Sequence, residues 1–492
     1  MSQSATPTAP FVPHLTSGRS RAAFLGSFWS LIHALLPSLS ATAVFFVSAT
    51  FLSPVDFGHL AMATALVSIA LAFSPAAFGE ALVQRETLRP EHANAGFWLN
   101  AGFAAVYCAV LVLLAPAFAT YFEVPELRWI LPILALKIPF ELLAAVPASM
   151  IIRKMRFRLL ALRTAIGSGV GMALSVGLLL AGHGLLALVI AQVAVSVTTF
   201  VVVLWTAAWR PGFSMRLGDL RDLARYGVFA AGQRMLGMVR VDHLVLGAMG
   251  GPVLLGLLVF SQRVFQLLAS VAGGALSSVT HVVLSSMQGE PEKARRAFGL
   301  VSFVAAGVGF PVFAGAALVV DDLVALFFAE NWLAAARAAQ LFCLVGFLFS
   351  LGIVQGALIR SRGHPDWLFY YQLVQEAGTV LAIALVFSWG IEAIVAAIAI
   401  KTALIWPVSV AMTVRLLDCP VWTYIRSFAA PAVATAGMTA ILLALPQAPG
   451  AAHIALQIVV GACAYALLLF ALCRARLAEV ARLILTKPEG AT

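Results

Sequence analysis

The chain has 492 residues, of which 62% are hydrophobic and only 11% charged. Soluble domains carry about 25% charged residues, and apolar runs of membrane-crossing length recur here from end to end, which predicts an all-α polytopic membrane protein. A β-barrel is excluded because its strands are short and alternate in polarity. The net charge of +10 is therefore read for its distribution across a membrane and not as a sign of nucleic-acid binding.

Residues 1–23 read as a disordered tail rich in Ser, Thr and Pro, with Arg19 and Arg21 just ahead of the first apolar run. A short apolar region followed by a small-residue cleavage site is missing, so no removable signal peptide is expected. Fourteen spans follow, at roughly 24–52, 59–78, 95–119, 129–152, 162–182, 184–209, 226–249, 253–286, 298–320, 333–359, 367–389, 391–414, 425–445 and 452–473. Each is near the ~20 residues that a helix needs to cross the hydrocarbon core. Merging two pairs would reduce the count to twelve. The expected organisation is an N-terminal lobe over 24–209, a basic linker over 210–225, a second lobe over 226–414, two further helices over 425–473 and a basic tail over 474–492. In that tail apolar residues recur at helical spacing between Arg474, Arg476 and Arg482, which suits either a short interfacial helix or a basic stop-transfer end.

The loop charges set the topology. Of the 31 Lys and Arg, 24 fall in the tails and in loops on the N-terminal side of the membrane. Arg128 alone falls on the other side, with Asp56, Glu123, Glu126, Asp321, Asp322 and Glu330. This asymmetry predicts both termini on the cytoplasmic side. The remaining six, Lys137, Arg234, Arg240, Arg263, Arg337 and Lys401, lie inside spans.

The chain also repeats itself. Ser53-Pro-Val-Asp-Phe-Gly58 opens the second span and Gly251-Pro-Val-Leu-Leu-Gly256 the eighth; Gly184-Leu-Leu-Ala-Leu-Val opens the sixth and Gly390-Ile-Glu-Ala-Ile-Val the twelfth. Helices six apart share a direction, so the pattern predicts two six-helix lobes in parallel pseudo-repeat. Transporters built from repeats place the substrate near mid-membrane between them.

A charge at the bilayer centre costs roughly 2.5–3.5 kcal/mol on the insertion scale, so intramembrane charges are the candidate site residues. Arg234 and Arg263 sit at comparable depths in the seventh and eighth spans, and a guanidinium fork grips phosphate oxygens in pairs. Asp242, about 12 Å along the helix from Arg234, could neutralise it instead; Arg240 is a third candidate cation of the same hairpin. Lys137 and Glu141 stand four apart and can neutralise one another. Glu376 and Lys401 lie at matching depths in antiparallel spans, which suggests an inter-helix ion pair or a role in ion coupling. The five scattered cysteines show no ligand spacing, and no Gly-rich phosphate loop, HExxH or GxSxG motif is present. Neither a catalytic residue nor a metal or other cofactor is expected.

The runs Phe28-Trp-Ser-Leu-Ile-His33, Phe51-Leu-Ser-Pro-Val-Asp-Phe-Gly58 and Phe78-Gly-Glu-Ala-Leu-Val-Gln-Arg85 resemble bacterial polysaccharide transporters of the Wzx type. These belong to the multidrug/oligosaccharidyl-lipid/polysaccharide exporter superfamily. Asp222-Leu-Ala-Arg-Tyr-Gly227 with Gly251–Gly256 is similar to the start of that family's second lobe. The branch with colanic acid and succinoglycan transporters is the most similar, over roughly residues 24–420. The resemblance implies a flippase of the bacterial inner membrane that moves undecaprenyl-diphosphate-linked oligosaccharide to the outer leaflet. It also implies a V-shaped, cation-lined central cavity, alternating access, and a polymerase and chain-length regulator as pathway partners. A drug/ion antiporter of the same superfamily would favour acidic cavity residues, whereas the intramembrane charges here are mainly basic. A polymerase or ligase would carry a large outer loop, and none is seen in the sequence.

Overall fold

In the computed structural model, residues 19–73, 79, 82–83, 88–207, 209–213, 239–273, 291–446, 448 and 450–485 are described. Every element among them is a helix. Twelve of these helices are long and apolar enough to cross a membrane, and α1 (Arg19–Ala49) adds a further 31-residue helix with an apolar stretch at Leu36–Ala49. The seventh expected span, 226–249, falls largely on residues outside those described. Large apolar side chains such as Leu113, Leu404 and Leu467 are 70–77% exposed, which water would penalise and lipid does not. The expected all-α polytopic architecture is thus the observed one.

Contacts divide the chain into two units, Met1–Gly256 and Leu257–Thr492. The first holds α1, α2 (Pro54–Ala72), α3 (Pro90–Tyr121), α4 (Leu127–Ala135), α5 (Lys137–Arg153), α6 (Phe157–Leu180), α7 (Leu185–Thr206) and the start of α8 (Val241–Gly273). The helix begins at Arg19, inside the stretch expected as a disordered tail. α1 packs on α6, α6 on α7, and α5 on α7. The turn before α2 is a reciprocal cap: the Asp56 amide donates to the Ser53 hydroxyl, and the Ser53 amide donates to the Asp56 carboxylate at 2.9 Å. Pro54 supplies the first helical residue, where its missing N–H costs nothing. The expected fourth span is two helices. α4 ends at Ala135 and α5 begins at Lys137, because Pro139 has no N–H to offer the Ala135 carbonyl.

The repeated turn motif is realised in three dimensions. Gly251 adopts φ 76° and interrupts α8 just before Pro252, the position that corresponds to Ser53 before Pro54. The two copies then cross. A Cβ on Gly58 would overlap the Pro252 carbonyl, and a Cβ on Gly256 would overlap the Pro54 carbonyl. Each Pro-Val-x-x-Gly thus presents its glycine to the backbone of the other's first turn. The second repeat shows the same economy, since Gly184 and Gly390 cap α7 and α12 (Ile391–Leu417) with φ of 53° and 90°.

The second unit contains the rest of α8, α9 (Pro291–Phe327), α10 (Leu333–Ser361), α11 (Pro365–Val386), α12, α13 (Val421–Leu443) and α14 (Ala451–Leu485). α9 packs on α10 and α13, α10 on α12, α11 on α12, and α13 on α14. Phe260, Phe298, Phe313 and Trp332 are its large, fully enclosed side chains. α14 bends at Cys473, φ −141°, so that Arg474–Leu485 forms a separate helical segment, where the sequence had left an interfacial helix and a simple basic end both open. Arg476 of that segment donates to the Ser427 carbonyl at 3.2 Å.

Candidate functional site

The described residues of the first unit include several paired polar and charged side chains. Arg240 precedes the first turn of α8 and closes its fork on Asp242, with Nε to Oδ1 at 3.1 Å and Nη2 to Oδ2 at 3.0 Å. Its Nη2 also lies 2.6 Å from His243 Nε2. Asp242 and His243 are buried. Arg240, two residues away, is thus a partner of Asp242 that the sequence reading had not offered. That separation is closed to a pair inside a helix; it is reached because Arg240 lies outside the helix. Arg234 itself lies outside the described residues, and so does its expected approach to Arg263.

Lys137 and Glu141 pair at 3.3 Å across one turn of α5. Ser196 of α7 donates to the same carboxylate at 3.1 Å, which ties the pair to a second helix. His59 Nε2 lies 3.7 Å from Glu126. Arg153, only 2% exposed, donates to the Leu82 and Val83 carbonyls at 3.1 and 3.3 Å.

In the second unit, Arg263 lies eleven residues past Pro252 on α8, about 16 Å along the helix. It is partly exposed and donates to Gln266 Oε1 at 3.2 Å. Lys401 of α12 reaches α11 and donates to three oxygens, the Gln375 carbonyl at 3.1 Å, Gln375 Oε1 at 2.7 Å and Thr379 Oγ1 at 2.9 Å. The expected direct ion pair with Glu376 is replaced by this neutral cage. Glu376 instead accepts from Gln372 at 2.7 Å and acts on Lys401 only through its field. An ammonium has three donors, and one amide, one hydroxyl and one carbonyl fill them. A further polar network joins α10, α12 and α13: Gln355 donates to Tyr424 Oη at 3.1 Å and accepts from Ser409 at 2.9 Å. Sequence reasoning passed over Gln355, Gln375 and Thr379 because a neutral side chain does not interrupt an apolar run. Arg337, the sixth intramembrane cation, lies 3.5 Å from Glu392, with both side chains exposed.

The model of a family described as polysaccharide biosynthesis protein matches residues 47–337, more than half of the chain. The chain belongs to that family. Among its relatives, the teichuronic acid biosynthesis protein TuaB of Bacillus subtilis is 24% identical over 302 residues, 60% of this chain and 62% of TuaB. The matched stretch thus spans less than two thirds of that relative. The succinoglycan biosynthesis transport protein ExoT of Rhizobium meliloti is 24% identical over 69% of each chain. The lipopolysaccharide biosynthesis protein WzxC of Escherichia coli is 21% identical over 71% of this chain and 72% of its own length. Of solved structures, the lipid II flippase MurJ in an inward closed conformation superposes with a TM-score of 0.74 at 14% identity, covering 92% of this chain and 99% of MurJ. The multidrug transporter DinF-BH gives 0.54 at 17% identity over 82% and 98%. The resemblance read from Phe51–Gly58 holds: the family is that of polysaccharide biosynthesis, and the fold is the one that MurJ and DinF-BH share.

Proposed function

We propose that the protein flips undecaprenyl-diphosphate-linked oligosaccharide units from the cytoplasmic to the periplasmic leaflet of a bacterial inner membrane, by alternating access, for surface polysaccharide. The family match over residues 47–337 carries this reading. The transporter fold supports it, since its structural neighbour MurJ is a lipid II flippase. In this reading Arg263, a guanidinium deep in a membrane helix, holds the diphosphate, because its fork grips phosphate oxygens in pairs. Arg240 is neutralised by Asp242 and anchors the start of α8, ahead of any share in binding. The lipid carrier is handed on to a polymerase and chain-length regulator at the outer face. Excess Lys and Arg in the loops of one side place both termini in the cytoplasm.

The test is Arg263→Ala and Arg263→Lys in the intact chain. Both variants are expected to reach the membrane in parent amounts. Surface polysaccharide falls nearly completely for Ala and substantially for Lys, and lipid-linked precursor accumulates in the inner leaflet. Parental export by an inserted Arg263→Ala protein overturns the assignment of the diphosphate to this residue.

A further inference from the structure

We propose that the face between α11 and α12 is a carbohydrate-binding surface, which takes the hydroxyl-rich sugar portion of the cargo at a place separate from the diphosphate cation. This rests on the flippase reading and adds to it where the glycan is held.

α11 is amphipathic across the membrane. Leu373, Val374, Leu381 and Leu385 are 43–68% exposed and share one side of the helix. At 100° per residue, Tyr371, Gln372, Gln375, Glu376 and Thr379 occupy the opposite side, within an arc of about 140°. Among them Gln372 is exposed, and the other four, like Lys401, are only partly covered. Only Ala382 and Ile383 of the whole helix are buried. Such a stripe does not face hydrocarbon, because amides, a carboxylate and an ammonium are all costly there. Its apolar flank takes the lipid, so the stripe borders water or cargo.

The group is also ordered in the way a ligand surface requires. Lys401 spends its three donors on Gln375 and Thr379. Gln375 Nε2 donates to Tyr371 Oη at 3.0 Å, and Gln372 donates to Glu376 Oε1 at 2.7 Å. These bonds fix the side chains and leave capacity of both kinds. Glu376 retains acceptor sites on its second oxygen, Gln372 retains its carbonyl and one N–H, and Tyr371 retains its O–H donor, while the Thr379 hydroxyl donates to the Gln375 carbonyl at 2.9 Å. An anion would meet the Glu376 carboxylate, and a cation would meet Lys401. A neutral polyol, which donates and accepts at each hydroxyl, meets acceptors on Glu376 and Gln372 and donors on Gln372 and Tyr371. An aromatic ring one turn before the amide adds an apolar face for the C–H side of a sugar ring.

The experiment uses the full chain in nanodiscs. Two probes are titrated, lipid-linked oligosaccharide extracted from the organism that encodes the protein, and undecaprenyl diphosphate without sugar. The parent is expected to prefer the glycosylated lipid. Gln372→Leu and Glu376→Gln, changes at the open edge of the stripe, should each weaken the glycosylated probe by roughly tenfold, the worth of one charge-assisted hydrogen bond. The bare diphosphate should bind both variants as it binds the parent. Equal loss for both probes, or an unchanged preference for the glycosylated lipid, overturns the carbohydrate surface. If the parent binds neither probe, the flippase reading itself fails.

Discussion

A single ammonium group within the bilayer region shows how this protein tolerates charge. Lys401 is held by one amide oxygen, one hydroxyl and one backbone carbonyl, and its aliphatic stem lies over Gly378, where an added Cβ would come within 3.0 Å of it. A neutral cage stabilises the charge through oriented dipoles, whereas removal of one member leaves a charge-bearing donor unpaired. Gln375→Leu should therefore destabilise the protein by about 1–3 kcal/mol, and Lys401→Met should cancel much of that loss in the double variant. Thermal unfolding in one detergent measures both. A coupling energy larger for Gln375 with Lys401 than for Glu376 with Lys401 is expected, and the reverse order would restore the direct ion pair suggested by matching depths. The Lys137–Glu141 pair follows the ordinary helix rule of four residues, which is why it was legible in the sequence. Arg240 with Asp242 was not, since the rule applies only inside a helix and Arg240 lies before one.

At the scale of elements, the most informative stretch is Pro-Val-x-x-Gly. Its first copy could be read directly as a helix start, because Ser53, Pro54 and Asp56 are the residue types that a reciprocal cap and a first turn require. The reason for its glycine could not be read, as it lies in the other copy: Gly58 meets the Pro252 carbonyl and Gly256 meets that of Pro54. Backbones this close leave no room for a methyl group, and the opposing side is main chain that cannot rotate away. Gly58→Val and Gly256→Val should each cost about 1–3 kcal/mol by overpacking, and the two should be strongly non-additive because one displacement of the crossing relieves both. Ser53→Ala, which removes only the cap, should cost about 0.5–2 kcal/mol. Thermal unfolding of the single and double variants measures these terms, and simple additivity of the two glycine changes would mean that the crossing does not move as one unit. The break between α4 and α5 escaped the sequence reading for the opposite reason. Hydropathy runs smoothly through Leu136, and only the hydrogen-bond accounting around Pro139 divides the span.

At the scale of the molecule, membrane residence was legible because composition alone decides it, whereas sidedness rests on where the loop cations fall. The helices fix the alternation that this argument needs. The connection over residues 328–332 joins α9 to α10, that over 362–364 joins α10 to α11, and Asp418–Pro420 joins α12 to α13. Successive short connections between crossing helices lie on opposite faces. Arg360 and Arg362 flank one, Arg415 and Arg426 another, and Asp321, Asp322 and Glu330 flank a connection of the other sense. Lys and Arg are retained on the cytoplasmic face during insertion, while Asp and Glu exert little influence. The Arg-flanked connections and the C-terminus should therefore face the cytoplasm, and the α9–α10 connection the periplasm. Reporter fusions after Gln288 and after Thr492 are expected to give cytoplasmic signals, and fusions within 328–332 a periplasmic one. A cytoplasmic signal from that connection would invert the topology. It would also place the Ser53–Gly58 and Gly251–Gly256 turns, which lie on the same side by parity, at the cytoplasmic face.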